Sequence, residues 1–183
     1  MPRWDVQTLR DREAAAVLDA VVEIESESFT NPWTRDMYLS EFTHADVARV
    51  AIVREVVDDE RSGHTLPRSA SASPIVGFCS YWHVVDEIHL NNLAVTPSRR
   101  RQGVAAALLT HIIDASRSVQ AHRVILEVRR SNTPAHGLYD RFGFAQIAVR
   151  PGYYSEPIKR RVPYLQSSYK YHDDSDRYFP PLP

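Results

Sequence analysis

The stretch NNLAVTPSRRRQGVAA, residues 91–106, decides the fold of this chain. Its apolar start predicts a buried strand, its centre predicts a polar turn, and the residues from Gly103 onward predict the start of a helix. The first turn of that helix has a glycine and only small or apolar side chains, so several backbone N–H groups and the positive helix end point at one place. With Arg99, Arg100 and Arg101 beside it, the turn predicts a site for the pyrophosphate of a phosphorylated cofactor.

Two other kinds of phosphate-binding loop do not fit this turn. A Walker-type loop requires Gly-Lys-Ser or Gly-Lys-Thr, which the chain does not contain. A dinucleotide fingerprint has three spaced glycines after an early strand, whereas this turn has only Gly103. What remains is the pattern Arg/Gln-x-x-Gly-x-Gly/Ala, which RRQGVA at residues 100–105 satisfies.

Length and composition predict one globular domain. The chain has a single cysteine and can form no intrachain disulfide, which favours a reducing compartment. The chain has 183 residues, of which 43% are apolar and 25% charged, and a net charge of −1, so nothing global favours nucleic acid or a membrane surface. No signal-peptide region or membrane-spanning apolar run is visible, so the expected location is cytoplasmic. The single cysteine, Cys79, lies in an apolar run without an activating motif and is predicted to be a core residue.

The order of predicted elements indicates an α/β fold with a mixed sheet. A meander of strands precedes a strand–helix–strand–helix–strand series, which implies both antiparallel and parallel pairs. Residues 58–74, rich in charge, Ser, Gly and Pro, predict a flexible hairpin loop. Strands are predicted at residues 4–9, 47–57, 75–85, 87–95, 122–128 and 144–149, and helices at residues 11–29, 34–42 and 103–118, with a short one opened by Thr133 and Pro134 and closed by Gly143.

Several separated motifs, including the turn, resemble the GNAT acetyltransferases, and within them the RimI type, the ribosomal-protein-alanine N-acetyltransferases. In that family the turn pattern binds the pyrophosphate of acetyl-CoA. The resemblance covers residues 4–154; after Tyr153 and Tyr154 the chain departs from the family's usual closing strand. The segments that match are FTNPWT at 29–34, NLAV at 92–95, LEVRRSN at 126–132, LY at 138–139 and FGF at 142–144.

This resemblance implies a GNAT fold, acetyl-CoA as the acetyl donor and no metal ion. It implies that the strand ending at Val95 offers backbone groups to the cofactor, with the Val95 N–H polarising the thioester carbonyl. By itself Asn132 would be a turn residue or a helix cap, but the resemblance makes it a cofactor contact. The implied cofactor-binding residues are Leu93, Ala94, Val95, Arg100, Arg101, Gln102, Gly103, Val104, Ala105, Ala106 and Asn132.

Glu127 and Tyr139 are the predicted catalytic residues. Acetyl transfer needs a neutral amine, and because a peptide α-amino group titrates near ~8, a modest general base suffices. Burying a carboxylate in an apolar strand costs free energy unless the group is paired or has a catalytic role. Glu127 is therefore either a solvent-facing residue or, as the resemblance implies, the general base, which acts through a water molecule. Without the resemblance, Tyr139 would be interpreted as a core residue. The resemblance implies that it protonates the departing thiolate. His89, on the strand that ends at Val95, is a rival base.

The hypothesis is an acetyl-CoA-dependent Nα-acetyltransferase acting on a protein amino terminus, by direct attack within a ternary complex. The resemblance implies that the acceptor is the N-terminal alanine of a small-subunit ribosomal protein. Two alternatives stay open: acetylation of a lysine side chain or small amine, and a non-catalytic acyl-CoA-binding protein. The predicted domain covers residues 1–157, and residues 158–183 form a divergent extension that is either poorly ordered or contains a weak strand near residues 162–171.

Overall fold

The computed structural model describes residues 3–9, 11–42, 46–56, 73–151 and 165–172. The chain divides into two compact units. Unit 1 contains Met1–His83 and Leu90–Ile112, and unit 2 contains Val84–His89 and Ile113–Pro183.

The strands belong to one seven-stranded sheet in the order β1-β2-β3-β4-β5-β7-β6. They are β1 (Arg3–Leu9), β2 (Ala48–Val56), β3 (Ile75–Val84), β4 (Glu87–Val95), β5 (Arg123–Arg129), β6 (Ala145–Pro151) and β7 (Leu165–His172). The helices are α1 (Asp11–Ala16), α2 (Leu18–Ser28), α3 (Arg35–Phe42), α4 (Val104–Ser118) and α5 (Thr133–Arg141), with a 3₁₀ helix at Pro97–Arg99.

In unit 1, β1, β2 and β3 form an antiparallel meander. Leu9 lies opposite Val50 across β1 and β2, and Ala51 lies opposite Cys79 across β2 and β3. Buried side chains from α2 join those of the strands in one apolar cluster, to which Phe78 contributes from β3. Burial of this cluster stabilises the unit, because removing apolar surface from water is the main favourable term in folding.

The helix predicted over residues 11–29 is wrong in one respect, because the structure interrupts it at Val17. Val17 donates its N–H to the Ala14 carbonyl at 3.2 Å, a tight turn that ends α1. Its backbone angles (φ −106°, ψ 3°) are not helical, and α2 begins at Leu18. Apolar spacing continues across the break, so periodicity alone could not show it.

The predicted start of α3 is confirmed. Thr34 precedes the helix, and its Oγ1 accepts a hydrogen bond from the Met37 N–H at 3.3 Å. That bond satisfies one of the N–H groups that a helix start leaves without an intrahelical partner. In α4, likewise, the predicted inner face is buried, with Val104, Leu108 and Ile112 almost fully covered.

In unit 2, β7 pairs antiparallel with both β5 and β6. Glu127 lies opposite Ser168 in the first of these pairs. The predicted weak strand near residues 162–171 is therefore present as β7, rather than the poorly ordered extension that was the other interpretation. The predicted division at residue 157 falls at residues that the structure does not describe and stays a prediction.

The short helix α5 and the strand β6 lie where the sequence predicts them. Gly143 follows α5 with a φ of +78°, a left-handed conformation that glycine adopts without steric cost. The predicted hairpin loop at 58–74 lies almost entirely outside the described residues. Within the described part of the chain, the helices are too short or too polar to cross a membrane.

Candidate functional site

The predicted pyrophosphate turn joins β4 to α4 in unit 1. Two of its residues have left-handed backbone conformations: Arg101 has a φ of +64° and Gly103 a φ of +91°. Such a conformation costs a non-glycine residue about 1–3 kcal/mol and persists only where surrounding contacts impose it. Successive main-chain N–H groups in a turn with such conformations form concave groups of donors that bind anions.

The main-chain N–H groups from Arg101 to Ala106 make no hydrogen bond to another group of the described residues. The first N–H after them, that of Ala107, donates to the Gly103 carbonyl at 2.9 Å. A helix start always leaves its first N–H groups unpaired, and here the turn before the helix extends the row. A row of free donors next to a positive helix end is suited to bind a pyrophosphate.

The three arginines of the turn have different surroundings. Arg99 forms an ion pair with Glu55 at 2.7 Å. Arg100 donates from Nε to the Val95 carbonyl at 3.1 Å and from its terminal nitrogen to Ser28 Oγ at 3.3 Å. Arg101 is exposed and makes no hydrogen bond or ion pair with the described residues. The Arg101 guanidinium is therefore available to an anion, whereas Arg99 and Arg100 also contact neighbouring residues of unit 1.

A close approach of β3 supports the start of the turn. A Cβ atom on Gly77 would lie 2.9 Å from Val104 Cγ1 and 3.0 Å from the Ala94 carbonyl oxygen. Ala94 and Val95 are buried at the end of β4. Glycine at position 77 thus allows the predicted cofactor strand and the first residue of α4 to pack against β3.

A buried carboxylate fixes the middle of β4. Glu25 accepts hydrogen bonds from the Trp33 N–H at 2.9 Å, from Tyr38 Oη at 3.0 Å and from Asn92 Nδ2 at 3.1 and 3.2 Å. Burial raises the pKa of Glu25, and these hydrogen bonds oppose the shift. Burial also raises the pKa of Tyr38, and the neighbouring charge of Glu25 adds to that effect.

Glu127 lies on β5 in unit 2. Its strand alternates between buried and half-buried side chains, with Val124, Leu126 and Val128 buried. Glu127 stands on the other, half-buried face, which gives its carboxylate access to solvent.

Tyr139 lies on α5 and is buried, with its ring 5.6 Å from the ring of Phe144. The helix is capped by Asn132, whose side-chain oxygen accepts from the Ala135 N–H at 3.3 Å. Asn132 therefore has the cap role that its residue type predicts, which leaves its Nδ2 group for another contact.

The rival base and the cysteine have structural partners or surroundings. His89 Nε2 lies 2.9 Å from a Glu87 carboxylate oxygen, and Arg123 lies 2.9 Å from the other oxygen. Cys79 is buried, and burial raises the pKa of its thiol to about 12. Its burial confirms the predicted place in the core, and a thiol that stays protonated at neutral pH argues against a nucleophile.

A concavity of unit 2 lies apart from the predicted site residues. It has a volume of about 540 Å³ and lies along α5 and β6. Its lining residues are Arg130, Thr133, His136, Gly137, Asp140, Gln146 and Val149. In the described ranges, no three His, Cys, Asp or Glu side chains are grouped as metal ligands.

Comparison with known proteins identifies the family. The sequence profile of the Acetyltransferase (GNAT) family matches residues 18–144, more than half of the chain. The chain belongs to the GNAT acetyltransferases. Members of this family use acetyl-CoA as acetyl donor, so the predictions of a GNAT fold and of an acyltransferase enzyme are confirmed.

Relatives of this GNAT acetyltransferase include proteins named for N-terminal acetylation. A Bacillus subtilis (strain 168) protein provisionally named ribosomal protein bS18-alanine N-acetyltransferase is 33% identical over 139 residues, which are 76% of this chain and 82% of the relative. The crystal structure of the Escherichia coli ribosomal-protein-S18-alanine N-acetyltransferase has a TM-score of 0.72 at 24% identity, covering 97% of this chain and 100% of that one. Arabidopsis thaliana NAA60, solved with acetyl-CoA, has a TM-score of 0.69 at 16% identity, covering 93% and 98%.

The resemblance to the RimI type is confirmed by these relatives, and the mixed sheet flanked by helices is the GNAT fold. The individual roles of the predicted site residues stay predictions. The turn lies in unit 1, whereas Glu127, Tyr139 and Asn132 lie in unit 2.

Sequence reasoning missed three residues that support the turn and β4: Glu25, Gly77 and Trp4, whose indole Nε1 donates a hydrogen bond to the Gln102 carbonyl. Each acts through a contact with a distant part of the chain, so no local pattern marks it. For Glu25 a weak signal existed, because a glutamate on the apolar face of α2 must find partners when the helix packs.

Proposed function

We propose that this GNAT acetyltransferase transfers the acetyl group of acetyl-CoA to the α-amino group of a protein's N-terminal residue. The acceptor we propose is the N-terminal alanine of the small-subunit ribosomal protein bS18, as in the names of its relatives. We propose the cytoplasm as the location of this reaction, because ribosomal proteins are made and assembled into ribosomes there. The row of unpaired N–H groups from Arg101 to Ala106 carries the proposal, because it supplies the site for the donor's pyrophosphate.

Binding of the donor uses the turn and the end of β4. The N–H groups from Arg101 to Ala106 and the Arg101 guanidinium bind the pyrophosphate. Main-chain groups of Leu93, Ala94 and Val95 align the pantetheine arm, and the Val95 N–H stabilises negative charge on the thioester oxygen during transfer. Asn132 contributes its Nδ2 group to the same ligand.

The chemistry requires one proton acceptor and one proton donor. The neutral amine nitrogen attacks the thioester carbon, the new C–N bond forms and the C–S bond breaks. Glu127 takes the amine proton through a water molecule, and its half-buried position is compatible with that route. Tyr139 gives its phenolic proton to the leaving thiolate, which leaves as free CoA.

A panel of acceptors tests the proposal. The purified protein is incubated with acetyl-CoA and peptides that differ only in the first residue, beside a peptide with a blocked α-amine and an internal lysine, and beside free small amines. We expect CoA release to be fastest with an N-terminal alanine. Faster release with the blocked lysine peptide or with the small amines would favour the alternative substrates. Donor binding without CoA release on any acceptor would identify a non-catalytic acyl-CoA-binding protein.

A further inference from the structure

Trp4 of β1 contacts the pyrophosphate turn across a large separation in sequence. Its indole Nε1 donates a hydrogen bond to the Gln102 carbonyl at 3.1 Å. The same indole nitrogen lies 3.6 Å from the position that a Cβ atom on Gly103 would occupy. The ring is therefore in contact with the peptide between the two residues.

A second contact reaches the turn from the neighbouring strand. Trp4 lies opposite Glu55 in the register of β1 and β2, and Glu55 binds Arg99 at 2.7 Å. Directly opposed residues of an antiparallel pair have their side chains on the same face of the sheet. One cross-strand pair thus holds the turn at two points, of which only the Trp4 contact is to the main chain.

The direction of the Gln102 carbonyl determines the direction of the next N–H. In a planar trans peptide the C=O and N–H bonds point to opposite sides. A donor that holds the Gln102 carbonyl on the side of β1 therefore holds the Gly103 N–H on the other side. That N–H belongs to the unpaired row from Arg101 to Ala106.

We propose that Trp4 is a positioning residue for donor binding, because its indole N–H orients the Gln102–Gly103 peptide in the pyrophosphate turn. This inference rests on the proposed function of the turn. The left-handed conformations of Arg101 and Gly103 need external contacts to persist, and the Trp4 hydrogen bond is one of them. The Gln102 side chain supplies another by donating to the Ser98 carbonyl at 3.1 Å.

Two acetyl donors separate this role from general support of the fold. Acetyl-CoA contains the pyrophosphate, whereas S-acetylpantetheine has the same thioester and arm without it. In the Trp4→Phe variant we expect kcat/KM for acetyl-CoA to fall about fivefold, the ratio equivalent to one net hydrogen bond, through KM rather than kcat. We expect kcat/KM for S-acetylpantetheine to stay unchanged. No change for acetyl-CoA, or an equal fall for both donors, would overturn the proposal.

Two further variants isolate the N–H group itself. Benzothienylalanine at position 4 keeps the bicyclic ring and replaces the N–H by sulfur, so it should reproduce the Trp4→Phe effect without loss of volume. Trp82→Phe is the matched control, since Trp82 donates to Glu41 at 2.5 Å and not to the turn; it should behave as wild type. If the wild type transfers no acetyl group from either donor, the proposed function fails, and the calorimetric Kd of CoA for wild type and Trp4→Phe then tests Trp4 separately.

Discussion

Glu127 combines a half-buried position with a strand whose opposite face is apolar, and we expect its replacement to affect turnover more than stability. Positioned acid–base groups contribute about 10²–10⁴-fold. For Glu127→Gln we predict turnover at least about 10²-fold lower at neutral pH. The defect should shrink as the pH rises past ~8, because the acceptor amine then loses its proton without help. Steady-state rates from neutral to alkaline pH measure this.

The rival base provides the control for that experiment. His89→Gln removes the imidazole that lies beside Glu87 and leaves β5 unchanged. It should keep its turnover and its pH profile. Unchanged activity in Glu127→Gln, together with a loss in His89→Gln, would transfer the role of base to His89.

Tyr139 has both a buried ring and a hydroxyl, and Tyr139→Phe separates the two. The ring contact with Phe144 is kept, so the fold should survive. Turnover should fall by about tenfold or more, since the thiolate loses its proton donor, while the calorimetric Kd of CoA stays near the wild-type value. Full turnover in a folded variant would remove Tyr139 from the chemistry; unfolding would assign it to the core alone.

Glu25 makes the stability of the protein depend on pH. Burial raises its pKa above the ordinary value of 4.5, so the folded protein keeps this proton to a higher pH than the unfolded chain does. The free energy of unfolding therefore falls as the pH rises above 4.5, until it passes the folded-state pKa. Glu25→Gln removes this titration. As the pH rises, the melting temperature of the variant should therefore increase relative to that of the wild type. A constant difference between the two proteins would contradict the assignment.

At the scale of elements, local patterns predict most of the structure. The strand–turn–helix around Gly103 and the Thr34 cap both follow from short-range chemistry, namely alternation, helical spacing and capping. The break at Val17 could not be predicted, because no proline or glycine marks it. Strand β7 was only one of two alternatives, since a strand in a polar segment depends on its neighbours, here β5 and β6.

Two glycines offer a matched pair of substitutions at this scale. In Gly77→Ala the new Cβ would lie 2.9 Å from Val104 Cγ1 and 3.0 Å from the Ala94 carbonyl oxygen. Both distances are shorter than an ordinary van der Waals contact, so the neighbours would have to shift. We expect a loss of about 1–3 kcal/mol in the free energy of unfolding and a higher KM for acetyl-CoA, because both neighbours belong to the proposed donor site. Thermal unfolding and donor titration measure the two effects.

Gly137→Ala is the control. It lies in α5, and a Cβ there has no neighbour within 4 Å. Alanine should stabilise the helix by about 0.5–1 kcal/mol and leave the KM for acetyl-CoA unchanged. Equal effects at the two positions would show that β3 does not constrain the end of β4.

At the scale of the whole molecule, family motifs predicted the reaction class better than composition did. A net charge near zero and a single cysteine fit thousands of globular proteins, whereas LEVRRSN and RRQGVA together point to one family. The supporting contacts of Trp4, Glu25 and Gly77 could not be predicted, because they join residues far apart in sequence. The proposed donor site thus follows from motifs, whereas the contacts that support its turn and strand follow from the tertiary structure.

Locating the transferred acetyl group tests the central claim most directly. The protein is incubated with acetyl-CoA and a peptide that carries both an N-terminal alanine and an internal lysine, and the product is fragmented in a mass spectrometer. We predict a single acetyl group on the α-nitrogen of the alanine. An acetyl group on the lysine side chain alone, or an unmodified peptide under conditions in which CoA binds, would contradict an Nα-acetyltransferase.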